Sequence, residues 1–383
     1  MRREPTTRVK CERPEEREAA QSERGCVVLD QPRRIVSSTM LRLVFDPAAL
    51  LGILAILALS GCATSGRSKA ATSTPQLVWP SAPDPPRIAY VQSISRPDDV
   101  GIKVSAGTRA LRWIFGSNKD AETLVKPFGV ALDENDNLCL TDTGANTICF
   151  HDRAKKTWQH WDKIGNVRFA SPVSVAKRSG TIFVADSGLA AVVAFSEKGN
   201  LLFTVTNRLQ RPAGLAIHGE RLFVADSLRH AVLVFDLKGQ FISEFGKRGA
   251  GPGEFNFPTH ITADSEGNVF VTDSMNARVQ RFGSAGQFKS QIGSAGDARG
   301  HFGRPKGLAV DSFGHVYVID GLFDMVQVFN RDGQLLLNFG GSGARAGEFW
   351  LANGMAISRT NEIYVADAYN RRVQVFKYVG GQP

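Results

Sequence analysis

Seven histidines, His151, His160, His218, His230, His260, His301 and His315, are the side chains best suited to hold a metal or move a proton near neutral pH. A catalytic zinc centre needs about three protein ligands converging on one point. No HExxH pair supplies two of them locally, and neither a GxSxG elbow nor a Walker loop is present. Six aspartates recur along the chain: Asp142, Asp186, Asp226, Asp273, Asp320 and Asp367. Calcium binding or acid–base chemistry is one use for such a series. An Asp that ends a strand, however, accepts hydrogen bonds from turn amides and can pair with an Arg five residues on, as Asp273 with Arg278 and Asp367 with Arg372. Six copies of one residue more readily serve a repeat than a ligand. The five cysteines, Cys11, Cys26, Cys62, Cys139 and Cys149, include no CxxC pair, which excludes the usual zinc-site spacing.

The elements that carry these residues repeat. Each Asp closes a short strand: LCLTD, IFVAD, LFVAD, VFVTD, VYVID and IYVAD, spaced 44, 40, 47, 47 and 47 residues apart. Fourteen or fifteen residues earlier stands Pro127, Pro172, Pro212, Pro258 or Pro305, with Ala352 in the sixth copy. Eight or nine residues later comes Phe150, Phe195, Phe235, Phe282, Phe329 or Phe376. Most copies add a fourth β-rich run such as GQFISEFG or GQLLLNFG. Four antiparallel strands in about 45 residues make one propeller blade. The 38 Gly and 24 Phe against 5 Tyr suit an all-β chain rich in tight turns. The registered Pro, Asp and Phe positions resemble the NHL repeat over nearly everything after residue 120, which implies an all-β, six-bladed β-propeller. The Gly-His and Trp-Asp marks of WD40 are missing. The sixth copy lacks a fourth strand, and an unpaired edge is a liability. Residues 87–95 (RIAYVQSIS) are expected to supply that strand and close the ring, with Leu111, Trp113, Ile114 and Phe115 packing against it.

The amino-terminal part reads as an address. Residues 48–59 are an uncharged apolar run of 12, too short for the roughly 20 helical residues that a bilayer crossing takes. They lead into Leu59-Ser60-Gly61-Cys62, which resembles the lipobox of bacterial lipoproteins. The resemblance implies cleavage before Cys62, acylation of its thiol and a lipid-anchored chain in the cell envelope; Ala63 after the cysteine favours the outer membrane, facing the periplasm. Residues 1–39 hold 9 Lys plus Arg and 7 Asp plus Glu and fit no signal peptide, so translation is expected to start at Met40. The expected organisation is a doubtful extension (1–39), a signal peptide (40–61), a flexible linker (62–85) and the propeller (86–383).

Composition excludes disorder and an integral membrane protein: 43% of residues are hydrophobic and 22% charged. A net charge of +9 does not by itself announce a nucleic-acid binder, and the expected compartment argues against one. The basic residues do fall together in the repeat. Lys247, Arg248, Arg299, Arg304 and Arg345 lie on loops between blades, and Arg229, Arg278, Arg371 and Arg372 on turns between second and third strands, which share a face with those loops. That face is expected to be basic and to suit an envelope protein, an anionic glycan or a lipid head group. Two residues after each Pro, the channel-facing register supplies Gly129, Ser174, Gly214, His260, Gly307 and Gly354. Propeller lyases of the peptide-amidating type, similar in architecture, bind zinc there through several histidines. Here His260 stands alone, so neither a metal nor another cofactor is expected. The first functional reading is a non-catalytic binding or scaffold module; the alternative is a lyase, lactonase or hydrolase working in the channel. Cys139 and Cys149 flank Asp142 and, on a hairpin centred near Gly144, would oppose one another as a disulfide in an oxidising compartment, or else simply fill strand positions.

Overall fold

The computed structural model describes residues 77–102 and 123–380. The extension, the apolar run, Cys62, and the expected packing of Leu111, Trp113, Ile114 and Phe115 lie outside the described residues. Five four-stranded antiparallel sheets follow one another around a ring, blade 1 over 127–161, then 172–205, 212–245, 258–292 and 305–340. In each blade the repeat's marks close a hairpin: Pro127 lies opposite Asp142, Pro212 opposite Asp226 and Pro305 opposite Asp320. Proline is tolerated because it stands first in its strand. Blade 6 is formed by Ala352–Ile357, Glu362–Asp367 and Arg372–Tyr378, and then by the early strand Ile88–Ile94. That strand pairs Ile88 with Tyr378 and Ile94 with Val373, so the ring closes with material from both ends of the chain.

A further strand, Val78–Trp79, pairs outside the closing strand, and Trp79 packs its ring 5.9 Å from Phe339 and 5.8 Å from Phe376. Residues 77–85, the end of the expected linker, therefore belong to the ring. Two residues are too few to show strand alternation in a sequence. The core consists of six apolar clusters, one at each interface between neighbouring blades. Ile88 enters the cluster between blades 5 and 6, and Ile94 the one between blades 6 and 1. Among the described residues the only helices are two 3₁₀ turns, Pro97–Val100 and Ser274–Asn276, and none is long enough to cross a membrane.

Blade 1 departs from the expected marks by one residue. His151 faces Leu138 as Phe195 faces Ile182 and Phe282 faces Val269, so His151, not Phe150, holds the repeat's Phe position. It is buried beside Trp158, while Phe150 turns to the interface with blade 2. The same offset separates the cysteines. Cys139 faces Phe150, and Cys149 faces Leu140. Side chains one register apart point to opposite sheet faces: Cys139 packs towards blade 2 and Cys149 towards blade 6. The expected Cys139–Cys149 disulfide is thus not formed, and both thiols are free and buried. Burial raises the pKa of both, that of Cys149 up to about 12.

Candidate functional site: the basic mouth of the ring

The six aspartates are bound into the repeat. Asp142 accepts from the amides of Val125, Lys126, Gly144 and Ala145, and Asp186 from those of Ala170, Ser171, Gly188 and Leu189. Each carboxylate thus ties the loop entering its blade to the turn after its second strand, on one face of the ring. Asp273 and Asp367 add the expected arginines, Arg278 at 2.9 Å and Arg372 at 2.8 Å. Those guanidiniums also donate to loop carbonyls, Arg278 to Gly251 and Glu254, Arg372 to Arg345 and Glu348. Arg278 and Arg372 are internal staples, not free cations awaiting a ligand.

The innermost strands converge on a channel that is pinched in the middle. The waist is ringed by Gly129, Ser174, Gly214, His260, Gly307 and Gly354 and leaves about 30 Å³, room for a water or two. Glycine is needed here because neighbouring strands nearly touch: a Cβ on Gly129 would stand 2.8 Å from the Val173 carbonyl oxygen, and one on Gly214 2.7 Å from that of Thr259. Position two after the Pro therefore forms the constriction instead of an open lining. A β-bulge follows the Pro in these strands, and it turns the residue one after the Pro to the wider space above.

That space is a bowl of about 500 Å³ on the face of the inter-blade loops. Phe128, Val173, Thr259, Lys306 and Asn353, each one after the repeat's Pro position, line its wall, and Arg211 and Arg304, each one before it, stand at the rim. No Asp or Glu is among its lining residues. Lys306 donates to the Asn353 side chain at 3.0 Å. Burial, and then the nearby Arg304 charge, pull its pKa down to about 8. The opposite mouth, about 430 Å³, is charge-balanced, with Asp133, Glu134 and Asp136 against Lys177, Arg178 and Arg359. There Lys177 is buried in ion pairs with Asp133 and Glu197.

His260 sits at the floor of the bowl, with its ring near-parallel to that of Phe128 and 6.3 Å away. Its proton is assigned by a chain of hydroxyls. Ser274 Oγ donates to the Pro305 carbonyl, which can only accept. Thr259 Oγ1, 2.7 Å away, must then donate to Ser274. His260 Nδ1, 3.1 Å from Thr259 Oγ1, must in turn carry the hydrogen. Nε2 is left as a bare acceptor, shielded from solvent and without a hydrogen-bond partner among the described residues. Burial, with Lys306 adding a smaller repulsion, lowers the imidazole pKa to about 3, so the ring is neutral at physiological pH.

Of the expected ligand-binding residues, the structure brings His260 and Arg304 together in the bowl. Lys247, Arg248, Arg299 and Arg345 lie out on the inter-blade loops and Arg371 on a blade 6 turn, all exposed. Lys247 pairs with Glu254 at 3.3 Å and Arg345 with Glu348 at 2.6 Å. Sequence reasoning missed Arg211 and Lys306. The signal for them was available, since cations stand one before and one after the repeat's Pro.

A family model described as a 6-bladed beta-propeller matches residues 204–292, and the NHL repeat model matches 349–376, the span of blade 6. No curated protein sequence matches the chain. Among solved structures, virginiamycin B lyase from Staphylococcus aureus superimposes with a TM-score of 0.50 at 12% identity, over 67% of this chain and 96% of that one. An auxiliary nutrient binding protein from Bacteroides thetaiotaomicron gives 0.53 at 10% identity, over 67% and 70%. Hydrazine synthase from Kuenenia stuttgartiensis gives 0.50 at 12%, over 69% and 98%. Proteins with such different names at such low identity share the architecture alone. Repeat marks, strand order and the propeller model agree: the chain is a six-bladed β-propeller, with an NHL repeat matched in blade 6, closed by its own N-terminal strand.

Proposed function

We propose that the chain is a non-catalytic binding module of the bacterial cell envelope, tethered through lipid on Cys62 at the outer membrane and facing the periplasm, which takes an anionic ligand or an acidic group of a partner protein into the basic bowl. One observation carries the reading of the site: Arg211, Arg304 and Lys306 stand on a bowl without a single carboxylate in its lining, while the mouth opposite is charge-balanced. An anion entering the bowl meets the exposed Arg211 and Arg304 and the partly buried Lys306, with no carboxylate in the lining to compete for them, and charge-assisted hydrogen bonds to such groups are strong. Phe128, Phe257 and Met275 supply apolar contact beside them. The waist, with room for only a water or two, closes the bowl below to anything larger, and the neutral His260 ring forms part of its floor.

Calorimetric titration with inorganic pyrophosphate tests the site. Arg211→Ala with Lys306→Ala should abolish the binding isotherm, whereas Lys247→Ala with Arg248→Ala, which removes the same charge, should leave it nearly intact. Equal losses in the two variants would reduce the effect to net charge and sink the reading. The tether is tested by Cys62→Ser with fatty-acid labelling and fractionation: the substituted chain should take up no label and leave the membrane fraction or remain as precursor.

A further inference from the structure

The bowl is surrounded by exposed apolar side chains in a pattern set by the repeat. Leu189, Leu228, Met275, Leu322 and Tyr369 stand on the turns of blades 2 to 6, with Trp350 beside Tyr369, their rings 5.5 Å apart. Val125, on the loop entering blade 1, completes the circle. Met275 is 66% exposed and Leu322 61%. The opposite end of the ring carries fewer, Leu201 and Phe241 where outer strands begin and Val379 after the last strand, and they form no circle. Cations are interleaved with this annulus: Arg211, Arg304 and Arg371, and Lys126, which lies 4.8 Å over the Tyr369 ring. Three acids on the same face are engaged, Glu254 and Glu348 by Lys247 and Arg345, and Asp324 by the Leu351 amide and Ser342, while Asp297 stands exposed on the loop entering blade 5.

The chain enters the ring on this side. Trp79 pairs with Ile88 and Val78 with Ala89, while Ile94, further along the same closing strand, pairs with Val373 beside the Asp367 turn. Followed backwards from Trp79, the backbone therefore runs towards the basic face, where Leu77 packs at Gly347 in the loop entering blade 6. Only residues 63–76 separate that point from Cys62, a span of about 50 Å at full extension. A tether of that reach, leaving from this side, lets the basic face lie against a bilayer.

We propose that the basic face docks on an anionic phospholipid surface, the annulus entering the head-group region and the bowl lying over lipid phosphates. Tryptophan and tyrosine favour that interface, and juxtaposed Lys and Arg draw on its negative potential. The orientation rests on the Cys62 anchor proposed above; the affinity itself does not need the lipid. The test uses residues 63–383 without the acyl chain, which keep every strand of the closed ring, sedimented with vesicles of phosphatidylethanolamine and phosphatidylglycerol or with vesicles of phosphatidylcholine alone. The chain should pellet with the anionic vesicles and much less with the zwitterionic ones. Leu189→Ser, Leu228→Ser and Leu322→Ser combined should weaken that partitioning about tenfold or more, with an unchanged melting temperature. The same variant should still bind pyrophosphate. No preference for anionic vesicles, or undiminished partitioning of the triple variant, overturns docking and leaves the bowl reading standing. Vesicle binding without any pyrophosphate binding would retain docking and remove the bowl.

Discussion

Removing the closing strand should cost the ring far more than removing the tether. Three chains that begin at residues 77, 86 and 97 separate the contributions. The first keeps all described strands. The second loses Val78–Trp79 and with it the Trp79 contacts to Phe339 and Phe376. The third also loses Ile88, Ala89 and Ile94, which are 0%, 2% and 2% exposed. Full burial of an Ile side chain is worth about 1.5–3 kcal/mol, so the two isoleucines alone account for roughly 3–6 kcal/mol. Tyr90, edge-on to Phe376 at 5.8 Å, adds to this. The strand Arg372–Tyr378 is then left as an open edge. At about 2 °C per kcal/mol for a domain of this size class, the chain starting at 97 should melt at least about 6 °C below the chain starting at 77, with the chain starting at 86 in between. Thermal unfolding followed by circular dichroism reads the difference. Coincident midpoints for the first and third chains would refute closure by this strand.

Asp273→Ala strips Arg278 of its carboxylate within a buried network and should destabilise the ring by about 3–5 kcal/mol, read as a lowered denaturation midpoint; a change near zero would contradict the stapling role. Gly307→Ala forces a Cβ into the Asn353 carbonyl oxygen and should lower the melting temperature clearly, whereas Ala309→Gly, lower on the same strand, should act only mildly. Alkylation after denaturation without reductant should label both Cys139 and Cys149, and a recovered disulfide would contradict the register. Lys306 has a folded pKa below its ordinary value, so an anion in the bowl should raise it and draw in a proton. Pyrophosphate affinity should accordingly fall as pH rises through about 8, and a flat profile from pH 7 to 9 would count against Lys306 as a contact.

The parts legible in the sequence are those in which one residue type recurs for one physical reason. Asp142 and its five counterparts repeat because every blade must tie an entering loop to a turn, and Pro127 and its counterparts because each innermost strand starts opposite that Asp. Closure was legible because residues 87–95 show strand character with no partner of their own. What escaped depends on single-residue register. The hairpin of blade 1 is centred half a residue beyond Gly144, which sends Cys139 and Cys149 to opposite faces and puts His151 where a Phe was expected. The bulge after the Pro moves the bowl lining from His260's position to that of Lys306. Charge counted along loops also overstated the free basic surface, since Arg278 and Arg372 are consumed by carboxylates that the same repeat supplies.

The central claim, that ligand recognition resides in the bowl and not on the outer loops, is tested most directly by a crystal structure of residues 63–383 soaked with pyrophosphate. The account predicts ordered anion density against Arg211, Arg304 and Lys306, with no neighbouring molecule in contact. Density at Lys247, Arg248 or Arg345 with the bowl filled only by water would contradict it.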